Sequence, residues 1–162
     1  MPSSPSARKI TTLLRLRSAV RRAKARGKRV VFTNGCFDLL HAGHVTLLER
    51  AKRYGDLLVV GLNSDRCVRA LKGRGRPILP ARDRARLLAA LASVDYVVIF
   101  NEPTPQRVIT RLVPDVLVKG ADWPAGAIVG TEAVRAAGGR VVRFPLVKGY
   151  STSKMLARIR RR

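Results

Sequence analysis

Two histidines with a glycine between them are the residues of this chain whose types and spacing most directly suggest chemistry. His41 and His44 are its only histidines, and Gly43 lies between them. On the first turn of a helix, side chains three positions apart point the same way, and a glycine lets a ligand approach the backbone closely. Two imidazoles beside free backbone N–H groups can bind phosphate oxygens. This spacing therefore predicts a site for a polyphosphate.

The residues around this pair predict a strand, a polar loop and a helix. Residues 30–32 are an apolar run typical of a buried strand, residues 33–35 have turn chemistry, and residues 45–54 show apolar positions at helical spacing. Such a unit places unpaired N–H groups and the positive end of a helix dipole at the carboxyl edge of a sheet, where a phosphate can bind.

Four more apolar runs follow, and segments with helical character separate them. The runs are residues 56–62, 95–100, 115–118 and 140–144. This alternation predicts an α/β fold, a Rossmann-like five-stranded parallel sheet with helices on both faces. An amphipathic run over 10–26 predicts an additional N-terminal helix. We expect residues 1–7, with two prolines and three serines, to be disordered and residues 8–162 to form one domain.

Two helix starts are predicted from residues that commonly cap helices. Ser64 can cap a short helix that runs to Leu71. Thr104 can cap a later helix, with Pro105 at its first position. Both predicted helices follow the carboxyl end of an apolar run, as expected for a doubly wound fold.

Polar segments follow the strands at the edge where a site belongs in such a fold. These segments are residues 33–44, 63–76, 101–104, 119–123 and 148–154. Because the carboxyl ends of parallel strands meet at one edge, we expect the five segments to converge there. The basic, glycine-rich stretch 72–77 is a candidate lid over phosphates. Residues 150–154 predict a helix N-terminus with three hydroxyls and a lysine, which suits phosphate oxygens.

The balance of charge favours anionic partners. The chain of 162 residues has a formal net charge of +23, and neither residues 1–37 nor residues 133–162 contain an acid. Nucleotides, sugar phosphates, nucleic acid and anionic membrane surfaces all fit that charge. Aromatic residues make up only 5% of the chain and no zinc-ligand spacing is present, so specific nucleic-acid binding is disfavoured.

Other features of the composition indicate a cytoplasmic globular protein. No apolar run reaches the roughly 20 residues needed to span a bilayer, and the N-terminus lacks the apolar region of a secretory signal. The two cysteines, Cys36 and Cys67, are far apart and lack metal-ligand spacing, which favours reduced thiols. We expect cytoplasmic localisation and no contact with a membrane.

The stretch TNGCFDLLHAGH at residues 33–44 resembles nucleotidyltransferases of the cytidylyltransferase type, whose HxGH motif binds the triphosphate of a nucleotide. The segments LKG at 71–73, RP at 76–77 and VKGAD at 118–122 are similar to those of the adenylyltransferases that act on D-glycero-β-D-manno-heptose 1-phosphate in ADP-heptose synthesis. Residues 150–154 resemble the ISTS-type signature of the family. Ala121 and Trp123 depart from the glycine and tyrosine that this subgroup has.

The resemblance implies direct transfer of AMP from ATP, with Mg²⁺ carried by ATP and no metal ligand assigned to the protein. The catalytic residues that it implies are His41, His44 and Lys72. The nucleotide-binding residues are Thr33, Asn34, Gly35, Cys36, Phe37, Gly43, Gly120, Asp122, Tyr150, Ser151, Thr152 and Ser153. The acceptor-binding residues, for a sugar 1-phosphate, are Asp38, Lys72, Arg76 and Lys119. A homodimer is also expected.

Two alternatives remain open from the sequence. The same fold could serve another phosphorylated acceptor, such as glycerol phosphate, phosphopantetheine or flavin mononucleotide. A basic RNA-binding module without turnover is less favoured, because the His41/His44 pair and the hydroxyls at 151–153 are intact. In longer relatives of this type the domain is fused to a sugar kinase, so we expect a stand-alone adenylyltransferase that receives its substrate from a separate kinase.

Overall fold

Five parallel strands form one sheet in the order β3-β2-β1-β4-β5. The structure is a computed structural model that describes residues 4–121, 123–145, 147 and 149–160. The strands are β1 (Val30–Gly35), β2 (Leu57–Asn63), β3 (Tyr96–Phe100), β4 (Val116–Gly120) and β5 (Arg140–Phe144). The strand order reverses between β1 and β4, which is the point where ligands bind in open α/β sheets. The predicted parallel sheet is confirmed.

Helices cover both faces of the sheet, as predicted. They are α1 (Leu13–Ala25), α2 (Ala42–Lys52), α3 (Asp65–Lys72), α4 (Ala81–Ala90), α5 (Gln106–Leu112), α6 (Thr131–Ala136) and α7 (Thr152–Arg160). Short 3-10 helices span Ala7–Lys9 and Ala125–Ala127. No helix in the described part of the chain is long and apolar enough to cross a membrane.

The alternation of side chains along β1 divides the core into two layers. Val30 and Phe32 pack in one cluster with residues of α1, α5 and α6. Val31 packs in the other cluster with residues of α2 and α4. Because successive strand residues point to opposite faces, β1 is buried on both sides. Its carboxyl end, which leads to the histidines, is therefore held by both layers.

The structure confirms one predicted helix cap and corrects two helix starts. Ser64 caps α3, since its side chain accepts a hydrogen bond from the Cys67 backbone N–H. The N-terminal helix begins at Leu13 rather than at residue 10, because Ile10 forms a parallel β-bridge with Val97 of β3. The prediction that Thr104 caps the next helix is wrong. That helix begins at Gln106, and no side chain caps it.

Three aspartates fix the starts of the strands at the opposite edge of the sheet. Each precedes a strand and accepts a hydrogen bond from a backbone N–H of the neighbouring strand or its entry. The pairs are Asp56 with Arg29 N at 2.8 Å, Asp95 with Leu58 N at 2.7 Å, and Asp115 with Val30 N at 2.7 Å. Each aspartate also pairs with a lysine, namely Lys28, Lys52 and Lys24. These contacts tie adjacent strands together away from the candidate site.

Replacing Asp115 with alanine should lower the free energy of unfolding by about 1–3 kcal/mol, because the Val30 N–H loses its charged acceptor. Urea denaturation measures this loss. Glu49→Ala is the control, since it removes the same charge from an exposed position of α2, and its effect should stay within about 0.5 kcal/mol. Equal effects of the two variants would show that Asp115 does not tie β1 to β4.

Candidate functional site

A cleft of about 580 Å³ lies at the carboxyl edge of the sheet. The five segments predicted to converge all contribute residues to its wall. The predicted site residues that line it are Asn34, Gly35, Cys36, Phe37, Asp38, His41, Gly43, His44, Lys72, Arg76, Lys119, Tyr150, Ser151, Thr152 and Ser153. The loop after β1 and the start of α7 therefore border the same cavity.

Two described residues among the predicted set do not reach the cleft wall. Thr33 is buried inside the sheet with 1% of its surface exposed. Gly120 pairs with Phe144 in the ladder between β4 and β5. Asp122, which the sequence assigned to the nucleotide, lies outside the described residues, as does the side chain of Lys154.

The two histidines form a stacked pair at the start of α2. Their ring centroids are 3.7 Å apart, with an angle of 14° between the planes. His41 is the N-cap residue, and its Nδ1 accepts a hydrogen bond from the His44 backbone N–H at 3.3 Å. The ring of Phe37 packs against His44 at 5.1 Å. The pair is thus held as a unit, which the i, i+3 spacing alone could not show.

Burial keeps both imidazoles neutral near pH 7. Desolvation lowers the pKa of His44 to about 4, and the neighbouring His41 adds to that effect. Desolvation also lowers the pKa of His41. One buried polar atom of this region, Asn34 Oδ1, has no hydrogen-bond partner within the described residues. A ligand that supplied partners there would offset a cost that native structures rarely carry.

The lowered pKa of His44 makes stability depend on pH. Its pKa is about 4 in the fold against 6.5 for the free side chain, so the folded chain binds fewer protons between those values. Stability is therefore full above about pH 6.5 and falls as the pH drops towards 4. Thermal melts should show a smaller drop in Tm across this window for His44→Gln than for the native chain. Parallel pH curves would contradict the assignment.

Gly43 lies where the histidine pair meets the segment before α7. A Cβ atom at this position would lie 3.1 Å from His41 Nδ1 and 3.1 Å from the Cβ of Tyr150. The Tyr150 ring faces that of His41 at 6.0 Å. The start of α2 and the segment before α7 therefore meet at a point where only a hydrogen atom fits comfortably.

Gly43→Ala should lower turnover by at least about tenfold, because the added methyl displaces the His41 ring or Tyr150 and small misplacements of reacting groups are costly. Stability should change by less than about 1 kcal/mol, since alanine favours the helix. Steady-state kinetics and thermal melts measure the two effects. The matched control is Gly126→Ala, where an added Cβ meets nothing within 4 Å. Equal turnover in both variants would show that the close approach at Gly43 is not needed for turnover.

Asp38 is a buried carboxylate whose two oxygens are both engaged by the protein. Its Oδ2 accepts from Arg76 Nε, and its Oδ1 accepts from the backbone N–H groups of Ile78 and Leu79 at 2.7 and 3.1 Å. Only 2% of Asp38 is exposed. The sequence assigned this residue to the acceptor; Asp38 lines the cleft, and both of its oxygens are used by the segment after α3. There it holds the segment after α3 against the loop after β1.

Three cations reach the cleft from different elements. Lys119, at the end of β4, is mostly buried; its Nζ donates to the Asn34 carbonyl at 3.3 Å and lies 5.1 Å from the centre of the Trp123 ring. Lys72 is the exposed last residue of α3, and Arg76 follows it in the next loop. Burial raises the pKa of the Cys36 thiol, against the opposing charge of Lys72. This shift favours the protonated thiol of Cys36 over the thiolate.

Sequence reasoning missed several residues at this site, including three of α2 and one arginine of α4. Thr46, Leu47 and Arg50 line the cleft from α2, and their spacing from Gly43 is that of one helix face, a signal that could have revealed them. Arg84 does not line the cleft, yet it contacts three segments that do. It lies in an arginine-rich helix, and from the sequence alone these arginines are expected on a solvated face.

The described part of the cleft offers little to hold a metal ion. Asp38 is the only acid among the described residues that line it, and its carboxylate is already engaged. No cluster of three histidine, cysteine or acidic residues occurs within the described ranges. A divalent cation would therefore find its oxygen ligands mainly on a bound phosphate.

The chain is similar in sequence to known proteins over most of its length. A profile of the cytidylyltransferase-like family matches residues 32–155. The bifunctional protein HldE of Citrifermentans bemidjiense is 54% identical over 151 residues, which cover 93% of this chain and 31% of that protein. HldE of Geobacter metallireducens is 52% identical over 158 residues, which cover 98% and 32%. The chain spans about a third of the length of these curated relatives.

Solved structures share the fold. The lipopolysaccharide core biosynthesis protein from Thermoplasma volcanium is 26% identical with a TM-score of 0.66, over 75% of this chain and 100% of that one. Pantothenate synthetase from Thermus thermophilus is 20% identical with a TM-score of 0.59, over 86% of this chain and 62% of that one. The second likeness concerns the fold alone.

Proposed function

Because the chain belongs to the cytidylyltransferase-like family, we propose that this nucleotidyltransferase transfers AMP from ATP to D-glycero-β-D-manno-heptose 1-phosphate. The products are ADP-heptose and pyrophosphate. Relatives named as bifunctional HldE proteins are more than half identical to nearly all of this chain. The segments LKG, RP and VKGAD, which resemble those of heptose-phosphate adenylyltransferases, support the choice of acceptor.

The observation that carries the proposal is the shared cleft. The His41/His44 pair and the hydroxyl-bearing residues 151–153 line the same cavity, and Tyr150 brings the two segments together, since its ring lies 6.0 Å from that of His41. Lys72, from the end of α3, and Arg76, from the loop after it, also line the cavity. Two negatively charged reactants repel each other in water, so a cavity with cations and N–H donors on several sides suits a reaction that brings them together.

The reaction needs alignment more than activation. An oxygen of the sugar 1-phosphate attacks the α-phosphorus of ATP in line, a new P–O bond forms, and the bond to the β-phosphate oxygen breaks. The electron pair of that bond leaves with pyrophosphate. Since the attacking oxygen is already an anion, no general base is required. The task of the protein is to hold the two reactants in line and to stabilise charge on the transferring phosphate.

The neutral histidines fit the role of hydrogen-bond donors. A neutral imidazole carries one N–H, and this group can donate a hydrogen bond to a phosphate oxygen. The backbone N–H groups at the start of α2 and α7 add further donors to such oxygens. ATP enters as its magnesium complex, with phosphate oxygens as the main ligands of the ion, because the described cleft residues offer no unengaged carboxylate.

Pyrophosphate release with a panel of acceptors tests the proposal. The panel contains both anomers of the heptose 1-phosphate, glycerol 3-phosphate, phosphopantetheine and flavin mononucleotide, each with ATP or CTP. We expect turnover with ATP and the β-anomer, at least about a hundredfold faster than with any other pair. Faster turnover of another acceptor would assign the same chemistry to that acceptor. Tight RNA binding without pyrophosphate release would overturn the enzymatic proposal.

A further inference from the structure

One arginine of α4 is enclosed by the protein. Arg84 has none of its surface exposed and is the largest fully buried side chain in the described part of the chain. Its neighbours on the buried face of α4 are Ala85, Leu88 and Ala89. Burying a guanidinium is costly unless its donors are satisfied, so its partners show what the residue does.

The Arg84 guanidinium reaches four groups in three separate segments. Its Nε donates to the Leu79 carbonyl at 2.9 Å, Nη1 donates to the carbonyls of Cys36 and Asn63 at 2.5 and 3.0 Å, and Nη2 donates to Asp65 Oδ1 at 2.6 Å. The only acid among these partners is Asp65, at the start of α3. The other three are backbone oxygens of loops and of a strand end, which would lack these donors without the arginine.

The segments joined in this way are those that form the cleft. Cys36 belongs to the loop between β1 and the histidine pair, and Asn63 ends β2; both line the cavity. Leu79 follows the loop that carries Arg76, and its backbone N–H donates to Asp38. Asp38 in turn accepts from Arg76. Arg84 therefore lies behind the cleft and links the loop before the histidines to the loop beyond Lys72.

We propose that Arg84 is a positioning residue, which fixes the loop before the histidines relative to the segment that carries Lys72 and Arg76. The inference deepens the proposed function, and it takes from it only the premise that two anionic reactants must be aligned in this cleft. Arg84 touches neither reactant. It acts through the Cys36 and Leu79 carbonyls and, beyond them, through the contact between Asp38 and Arg76.

This arrangement predicts a particular pattern of effects. The stacked imidazoles belong to α2 and its N-cap, and none of the four Arg84 hydrogen bonds reaches them, so these donors to the nucleotide stay in place when Arg84 is replaced. The relative position of the two cleft-forming loops is lost instead, and a displacement of about 1 Å between reacting groups can cost about a hundredfold in rate. A residue that served stability alone would lower the fraction of folded protein and leave kcat of the folded fraction unchanged.

The variant Arg84→Lys tests the proposal, because lysine keeps the charge but cannot reach four acceptors at once. Lys24→Met is the matched control. Lys24 also donates to a backbone carbonyl, that of Val113, and pairs with Asp115, but at the opposite edge of the sheet. Should Arg84→Lys fail to fold, Asp65→Asn removes only the half-exposed acid partner and undergoes the same measurements.

Three measurements at a temperature where each variant is folded decide the outcome. We expect Arg84→Lys to lower kcat by about a hundredfold while the ATP dissociation constant, measured by calorimetry without acceptor, changes by less than about threefold. Hydrogen exchange should accelerate at the Ile78 and Leu79 amides in Arg84→Lys and stay unchanged in Lys24→Met. Unchanged kcat, or exchange rates at those amides equal to those of the native chain, would overturn the proposal.

The exchange measurement separates this inference from the proposed function. If the native chain does not use heptose 1-phosphate, kcat is measured with whichever acceptor of the panel it does use. If it uses none, the exchange rates at Ile78 and Leu79 alone decide whether Arg84 holds the segment. Failure of the acceptor assignment and failure of the positioning role therefore give different results.

Discussion

Replacing His44 with alanine should lower kcat by about 10²- to 10³-fold, the loss typical of removing one donor that stabilises charge in a transition state. His44 is the more buried member of the stacked pair, and its ring also packs against Phe37. The ATP dissociation constant should change much less, because other donors in the cleft still hold the triphosphate. Single-turnover kinetics with calorimetry measures both quantities.

Two companion variants make the His44 result specific. His44→Gln keeps an N–H donor near the same place and should recover part of the loss. Glu49→Ala changes an exposed residue of the same helix and should leave kcat unchanged. Because the pKa of His44 is about 4, the native rate should not fall between pH 6 and 8 through loss of a proton from this residue. A near-normal rate for His44→Ala would remove His44 from the chemistry.

Replacing Lys72 with alanine should lower kcat/KM for the sugar phosphate by about a hundredfold, because the variant loses an ammonium that faces two anionic reactants. Lys72 ends α3, is exposed and lines the cleft. We expect most of the loss in kcat and in KM for the sugar phosphate, and a smaller loss in ATP affinity. Initial rates with the acceptor varied at saturating ATP measure the effect.

The control for Lys72 lies one turn earlier on the same helix. Arg69 is exposed and is not among the residues that line the cleft, so Arg69→Ala removes the same charge at a site away from the reactants. If the two variants lowered kcat/KM equally, the effect of Lys72 would reflect the field of a chain with net charge +23 rather than a contact. A higher salt concentration should weaken a field effect more than a contact.

The parts of the site that lie at strand ends could be predicted from the sequence. Apolar runs that alternate with helical segments indicate a parallel sheet, and parallel strands bring their carboxyl ends to one edge. That rule alone predicts His41, Lys119 and residues 150–153 at the same edge of the sheet. The HxGH spacing added that both imidazoles share one side of a helix start.

The supports behind the cleft could not be predicted in the same way. Arg84 sits in the sequence ARDRARLLAA, where several arginines alternate with small residues and none is distinguished. Its burial depends on three carbonyls that only the folded loops bring together. Likewise, the motif assigns Asp38 to the acceptor. Only the structure shows that its oxygens accept hydrogen bonds from a segment about 40 positions later. Such long-range partners leave no periodic trace in the sequence.

The few acids of the chain also have roles that only the structure shows. Asp56, Asp95 and Asp115 hold strand starts, and Asp38 and Asp65 hold cleft-forming loops. Each of these five carboxylates also forms an ion pair with a lysine or arginine of the chain. The net charge of the chain remains +23, which favours the encounter with anions.

The most direct test of the account is a crystal structure with a non-hydrolysable ATP analogue and Mg²⁺. We expect the β- and γ-phosphates between the His41/His44 pair and the start of α7, within hydrogen-bond distance of both. The α-phosphate should face Lys72 across the space left for the acceptor. A nucleotide bound elsewhere, or one that contacts the histidines while residues 151–153 face away from it, would contradict the account.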